Sequence, residues 1–321
     1  MGVIGAGAIA RMVHLPVLTA MPDVRVAFLA DADGARAAAL ARACGVPHRE
    51  VNDLGSAVED CDAVLLAIPV GARTSYLELL SRAGVAALVE KPFARTLDEH
   101  RRALDLFPAH ALACGFMRRT YASSLLARRI LGEGWLGPPR GIRVSEGGRT
   151  TKTGVNASHV DQSASAGGGV LLDLGCHALD LVFHLTGAQG HRVLRQEMVR
   201  DGKVDRRAEG EVVLDLGKGA PLPLHYVFSW LDRQEDVLEI EFATARLRLS
   251  ARPERPPALL GLGKDTKEVH LHADDGGATT SNQAFYLEWR WVLDGLRSGT
   301  PSPLAAASCL PVTALLEELY R

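Results

Sequence analysis

The sequence predicts two domains of different class, an N-terminal α/β domain on a parallel sheet and a C-terminal α+β domain on a mainly antiparallel sheet. Three observations carry this. Short apolar runs alternate with helix-patterned segments through the first third of the chain. A glycine-rich turn joins the first run to the first helix. After Trp135-Leu136-Gly137, strand-like segments follow one another with few helical patterns between them. The length of 321 residues also fits two domains, because single cores rarely grow past about 250–300 residues. The expected division is 1–118 and 119–321.

The first half reads in order. GVIGAG is a β-branched strand ending in glycines, and AIARMVHLPVLTAM has helical spacing. VRVAFLAD is a second strand ending in acid. GARAAALARACG is a helix with Asp33 as N-cap and Gly45 as C-cap. DAVLLAIP is a buried strand, Ser75 to Ala83 a helix, and VAALVEKP a strand. TLDEHRRALDLF opens with Thr96 and carries Glu99 three residues on, a capping box. HALACGFM closes the series. Strands alternating with helices make a parallel sheet covered on both faces.

The turn Gly5-Ala6-Gly7-Ala8-Ile9-Ala10 has the G-x-G-x-x-A form of a dinucleotide-binding Rossmann domain. Gly5 permits the tight turn, Gly7 lets a pyrophosphate approach the backbone, and Ala10 lets the helix pack on the strand. Ala8 and Ile9 open the helix whose free N–H groups face the phosphates. Asp31 ends the second strand where the ribose-binding acid belongs. Its charge repels a 2′-phosphate, and Ala32 follows it in place of an arginine. NAD is therefore expected over NADP.

The second half contains GIRVSE, HRVLRQEMV, EGEVVLDL, LPLHYVFSW, DVLEIEFA and ARLRLS, many with period-two alternation. LPLHYVFSW and DVLEIEFA place apolar side chains on both sides of their strands. A helix is expected from Asn282 to Leu296, and a last one, Ala305 to Tyr320, packing back on the body. No repeat or low-complexity tract is evident.

Composition excludes several partners. The formal net charge of −2 argues against nucleic acid or an anionic membrane surface. Five cysteines without a CxxC pair suggest reduced thiols and a cytoplasmic protein. No basic segment precedes the apolar start, so no signal peptide is predicted. No apolar run reaches the length of a membrane span.

GGGVLLDLGCHALDLVFHL, from Gly167, puts Asp173, His177 and Asp180 at i, i+4 and i+7 on one helical face. Such a set suits a metal site, an acid–base pair or a buried structural pair. Zinc would want three or four ligands, and no HExxH or HxH is present. Cys176 points away from His177. No metal is expected. Asp180 is expected to hold His177 or nearby backbone, and His184 to be a packed histidine.

GVIGAGAIARMVHLP, Glu90-Lys91-Pro92 and GGGVLLDLGCHALDL together resemble the glucose–fructose oxidoreductase / inositol dehydrogenase / rhizopine catabolism (Gfo/Idh/MocA) family over nearly the whole chain. The resemblance implies an active site at Lys91, Asp173 and His177, with Glu90 and Lys91 beside the cofactor. It implies an open sheet that builds the substrate pocket and the interface of a homodimer or homotetramer. It also expects a histidine near His14, in a structural or a catalytic role. The chain departs from the family at Ile68-Pro69-Val70 and at Arg73, which replaces a histidine. The backbone turn at Ile68 and Pro69 can still support the cofactor, and Arg73 reads as a solvated helix residue.

The chemistry follows from the residue types. Oxidising a secondary alcohol needs a base for the hydroxyl proton, and His177 titrates in the right range. Asp173 orients the hydroxyl or the imidazole, and Lys91 supplies positive charge at the developing alkoxide. The loop from Gly147 to Gly169 offers Arg149, Lys152, Asn156, His159 and Asp161 to a polyhydroxylated substrate. Arg118 and Arg119 lie where they can reach cofactor or substrate. The expected activity is hydride transfer between nicotinamide and a sugar, sugar conjugate or (amino)cyclitol, in keeping with secondary-metabolite sugar biosynthesis. The alternatives are an NAD-dependent glycosidase working by transient oxidation and a non-catalytic NAD-bound regulator.

Overall fold

The computed structural model describes residues 1–149, 168–262, 267–272 and 276–321. The chain divides into two compact units, Met1–Phe116 with Phe285–Leu310, and Met117–Ala284 with Pro311–Arg321. The expected division at 118/119 takes each domain as one continuous segment, whereas here residues 285–310 group with the first unit.

The first unit is a five-stranded parallel sheet in the order β2-β1-β3-β4-β5. Its strands are β1 (Gly2–Ile4), β2 (Phe28–Ala30), β3 (Ala63–Leu66), β4 (Ala86–Val89) and β5 (Leu112–Cys114). All seventeen of these residues are buried, the pattern of a sheet covered on both faces. The first crossover is a π-helical turn, Ala10–His14, continued by α1 (Leu15–Ala20). The other helices of its first 116 residues are α2 (Gly34–Cys44), α3 (Leu54–Glu59), α4 (Thr74–Arg82) and α5 (Leu97–Leu106). The predicted caps are present. Asp33 accepts from Arg36 N at 3.0 Å and Thr96 Oγ1 from Glu99 N at 3.1 Å. Strand order reverses between β1 and β3, the switch point where such sheets bind ligands.

The second unit is an eight-stranded sheet in the order β13-β12-β11-β10-β6-β9-β8-β7. Its strands are β6 (Gly141–Gly147), β7 (Gly190–Asp201), β8 (Val204–Asp215), β9 (Leu222–Ser229), β10 (Val237–Glu241), β11 (Ala245–Ser250), β12 (Ala258–Gly261) and β13 (Glu268–His270). Every neighbouring pair is antiparallel except β6 with β9. The helices α6 (Ala122–Glu133) and α7 (Cys176–Thr186) belong to this unit, with a second π-helical turn, Leu171–Gly175, leading into α7. The long helix α8 (Ser281–Ser298) and the last helix α9 (Leu310–Tyr320) complete the chain. The segment Ala306–Cys309 is a separate 3-10 turn, so α9 starts later than the sequence suggests.

The two faces of the large sheet differ. Leu224, Tyr226 and Phe228 of β9 and Leu238 and Ile240 of β10 are buried on one face, where β9 packs beside the Leu171–Gly175 turn. The opposite face is mixed, with Val227 of β9 and Val237 of β10 among ionic groups, so the apolar side chains expected on both sides are present there only in part. Glu239 stands opposite Arg143 and Arg248 in register and accepts from both at 2.9 Å. Cross-strand pairs of opposite charge stabilise such a face, and alternation puts His225 and Glu241 there beside the two valines.

Candidate active site

The glycine turn after β1 is shaped by contact. Gly5 has φ of 112°, and a Cβ there would lie 2.3 Å from Ala67 O at the end of β3. Only glycine fits. Gly7, by contrast, has nothing within 4 Å of its Cβ position. That open side is what a close-packed pyrophosphate requires. Ala8 and Ile9 form the first helical residues and Ala10 is fully buried against the sheet.

Asp31 is buried at the end of β2 and well supplied with donors. Ala6 N donates to Oδ2 at 2.6 Å, Asp33 N to Oδ1 at 2.8 Å, and Arg36 Nη2 to Oδ1 at 2.7 Å. Burial pushes this carboxyl up, but the two backbone N–H groups and Arg36 outweigh it and hold it below its usual range. Arg36 is the cation that the sequence reading sought at 32. It is the third residue of α2, so adjacency in sequence was the wrong place to look. Its side chain is half-exposed. These residues fit a dinucleotide: Gly7 would face the pyrophosphate, Asp31 the ribose, and Arg36 a 2′-phosphate.

The Glu90-Lys91-Pro92 segment leaves β4 with a cis bond between Lys91 and Pro92. Arg73 holds this segment and is not a solvated residue. It is 4% exposed and donates to Ile68 O at 3.1 and 2.9 Å, to Phe93 O at 3.1 Å and to Pro92 O. One guanidinium thus ties the Ile68-Pro69 turn to the Lys91 segment, with five donors in a planar fork. Burial lowers its pKa to about 10. Glu90 turns inward. Its Oε1 meets His14 Nε2 at 2.7 Å and its Oε2 accepts from Lys91 N at 3.0 Å. In these contacts it braces the segment that carries Lys91. Lys91 itself is half-buried.

In the second unit, a glycine at 169 precedes the Asp173 motif because the chain there runs against β8. A Cβ on Gly169 would lie 2.0 Å from Asp205 O. Asp205 is fully buried, accepts from Leu171 N at 2.8 Å, and accepts from Tyr320 Oη at 2.7 Å. It caps the π-helical turn and pins α9 to it. Sequence reasoning missed Asp205, since an acid inside a strand carries no local signal of capping. The turn places Asp173 and His177 at half-buried positions. Such turns are frequent at functional sites.

Asp180 does not share their environment. It is 1% exposed and takes a bidentate pair from Arg119, Nε at 2.8 Å and Nη2 at 2.5 Å. Arg119, expected at the substrate, is itself 1% exposed and is bound into this pair. Arg118 likewise forks onto Glu146 at 2.5 and 2.9 Å. His184 accepts from Arg128, and burial, with Arg119 and Arg128 nearby, lowers its pKa to about 3. Arg149 is exposed and borders a groove with Arg143, Ser145 and Arg248 on the ionic face. It is therefore not grouped with Asp173 and His177. Lys152, Asn156, His159 and Asp161 lie outside the described residues. Among the described residues no cluster of three or more ligands suits a metal, and no helix is long and apolar enough to cross a membrane.

Comparison with known proteins agrees with this geometry. Residues 1–116 match the GFO/IDH/MocA model described as an oxidoreductase family with an NAD-binding Rossmann fold, and residues 124–248 match the GFO/IDH/MocA C-terminal domain. The dTDP-3,4-didehydro-2,6-dideoxy-alpha-D-glucose 3-reductase of Streptomyces antibioticus is 31% identical over 266 residues, covering 80% of this chain and 76% of that protein. Two solved structures share the fold. One is a mutant of KijD10, a 3-ketoreductase from Actinomadura kijaniata, with TDP-benzene and NADP; it has a TM-score of 0.81 at 21% identity, over 99% of this chain and 95% of that one. The other is an oxidoreductase from Agrobacterium radiobacter with NAD+, L-tartaric acid and magnesium; it has a TM-score of 0.78 at 19% identity, over 99% and 94%. With both of its domains matched, the chain belongs to the Gfo/Idh/MocA family of NAD-binding oxidoreductases.

Proposed function

We propose that this protein transfers a hydride between nicotinamide and a secondary alcohol or ketone of a sugar, sugar conjugate or (amino)cyclitol, with Lys91, Asp173 and His177 as its catalytic residues. The observation that carries this reading is the contrast inside the second motif. Asp180 and Arg119 are locked in a buried pair, while Asp173 on the braced π-helical turn and His177 at the start of α7 stay half-exposed. A Streptomyces relative named as a deoxysugar nucleotide reductase makes a nucleotide-linked sugar the first substrate to try.

Bound nicotinamide supplies the hydride acceptor in oxidation and the donor in reduction. His177 takes the hydroxyl proton as the carbon–hydrogen bond breaks, and returns it in the reverse direction. Asp173 orients the hydroxyl or the imidazole through a charge-assisted hydrogen bond. Lys91 places positive charge at the oxygen on which negative charge develops. NAD is the expected cofactor, and Arg36 makes NADP a second one.

Replacing Lys91 or His177 by alanine should lower kcat by about 10²–10⁴-fold and leave the NAD Kd nearly unchanged, as read by stopped-flow absorbance and calorimetry. Turnover close to wild type in His177→Ala would remove it as the base. NADH absorbance on a panel of nucleotide sugars, aldoses and cyclitols identifies the substrate class. Glycoside cleavage without net NADH would point instead to transient oxidation.

The same proposal includes a homo-oligomer through the large sheet, in a reducing compartment that suits five free cysteines. The ionic face carries both signs of charge, which suits pairing with a second copy. Light scattering at micromolar concentration should show at least a dimer, and a lone monomer mass at low salt rejects it.

A further inference from the structure

Glu288 of α8 is 0% exposed. Among the described residues neither of its carboxyl oxygens has a hydrogen-bond partner. An ionised carboxylate without water or donors is too costly to bury, and such a group takes up a proton.

Its neighbour sharpens the point. Glu90 Oε1 and Glu288 Oε1 lie 3.4 and 3.5 Å from the position a Gly115 Cβ would take. Both carboxyls therefore turn into the gap left by glycine at the end of β5. Glu90 is well provided with donors and Glu288 is not. Trp289 Nε1 donates to His14 Nδ1 at 3.1 Å. Indole nitrogen only donates, so Nδ1 accepts and the ring proton of His14 sits on Nε2. That proton points at Glu90 Oε1, 2.7 Å away. Lys91 N supplies the second donor to Glu90. The charged and titratable groups around the pair are His14 from the first helical turn, Lys91 after β4, Arg73 after β3 and, beside Arg73, Cys114 on β5. Every polar partner favours a charged Glu90, which leaves Glu288 to hold the proton. Burial and the Glu90 charge push Glu288 far above the carboxyl range. Burial raises Glu90 too, but His14, Lys91 and Arg73 bring it below that range.

We propose that Glu288 is a positioning residue that stores one proton beside Glu90, so that the buried pair carries a single negative charge. Loss of that proton sets two carboxylates against each other across Gly115. Glu90 is then driven from Lys91 N, and the Lys91 segment loses its brace. The link to turnover rests on the catalytic reading of Lys91. The stored proton does not.

The test compares wild type with Glu288→Gln, which keeps the shape and has no proton to lose, and with Glu288→Asp, which keeps the acid. Infrared spectra at pH 7 should show the C=O stretch of a protonated carboxyl in wild type and Glu288→Asp, absent from Glu288→Gln. In denaturant titrations, the unfolding constant of wild type relative to Glu288→Gln should rise with pH above about 4.5, at about tenfold per pH unit, until Glu288 itself loses its proton. The alkaline limb of kcat/KM should vanish in Glu288→Gln and return in Glu288→Asp. Parallel pH–stability curves together with an unchanged infrared band overturn the stored proton. An unchanged alkaline limb with the band lost overturns the positioning role. Full activity in Lys91→Ala overturns the catalytic reading and leaves the infrared and stability results to stand or fall separately.

Discussion

At Asp31 three donors converge on one carboxylate, and only one of them is a side chain. Ala6 N and Asp33 N belong to any chain that turns this way, whereas Arg36 is particular to this sequence. Its guanidinium can leave Asp31 for a phosphate at small cost, because it is half-exposed. Arg36→Ala should therefore weaken NADP binding by at least about tenfold, the value of one charge-assisted hydrogen bond of about 1.5–3 kcal/mol. NAD affinity should change by less. Calorimetry with both cofactors checks this, and equal losses would deny Arg36 a part in discrimination. The identity of Asp31 was legible from the strand that ends at it. The role of Arg36 was not, because i+5 across a turn into a helix is a spatial relation that pattern reading does not encode.

At the scale of elements, the lessons concern braces. Most strands, the helices capped at Asp33 and Thr96, and the two domain classes followed from periodicity and turn residues, whereas α3, α6, β12 and β13 did not. The glycine turn followed too; its φ and close approach to Ala67 leave no choice of residue. What pattern could not supply was the direction of a long polar side chain. Arg73 occupies a helix start, where arginines are usually solvated, and instead turns in to three backbone carbonyls. Asp180 lies on the expected face by sequence spacing, but the bidentate pair with Arg119 draws it into the core. Arg73→Met should destabilise the first unit by about 3 kcal/mol, since several buried carbonyls lose their donor at about 1–3 kcal/mol each. It should also cut kcat, because the Lys91 segment loses its tie to the Ile68-Pro69 turn. Denaturant unfolding and kcat measured on the same preparation test both; an unchanged kcat in a destabilised variant would separate packing from positioning.

For the whole molecule, two buried groups set opposite slopes in stability against pH. Burial lowers His184 from 6.5 to about 3. Its contribution is present above pH 6.5 and is lost as pH falls toward 3. Glu288 is raised above 4.5. Its contribution is present below that value and is lost as pH rises. Between about 4.5 and 6.5 the unfolded chain gains a proton at one site and loses one at the other, so the slopes cancel. The expected Tm profile has a flat top over that range, falling on the acid side through His184, Asp31 and Glu90 and on the alkaline side through Glu288. His184→Gln should flatten the acid shoulder and let the alkaline fall begin near pH 4.5, because nothing then offsets Glu288. Calorimetric scans across pH 3–9 check this, and a profile peaked near pH 8 contradicts it.

The π-helical turn at Leu171–Gly175 has a consequence for which changes the chain can absorb. A π turn holds one residue more than an α turn, so the motif is a matter of counting as well as of identity. The turn already holds its extra residue, so inserting one more there would rotate every later side chain by about 100°. His177 would leave its half-exposed position, and Asp180 would swing away from Arg119. Side-chain replacements at Leu172 or Leu174 carry no such penalty. Leu172 and Leu174 should therefore tolerate changes of letter while the turn resists added length, a constraint that belongs to the backbone.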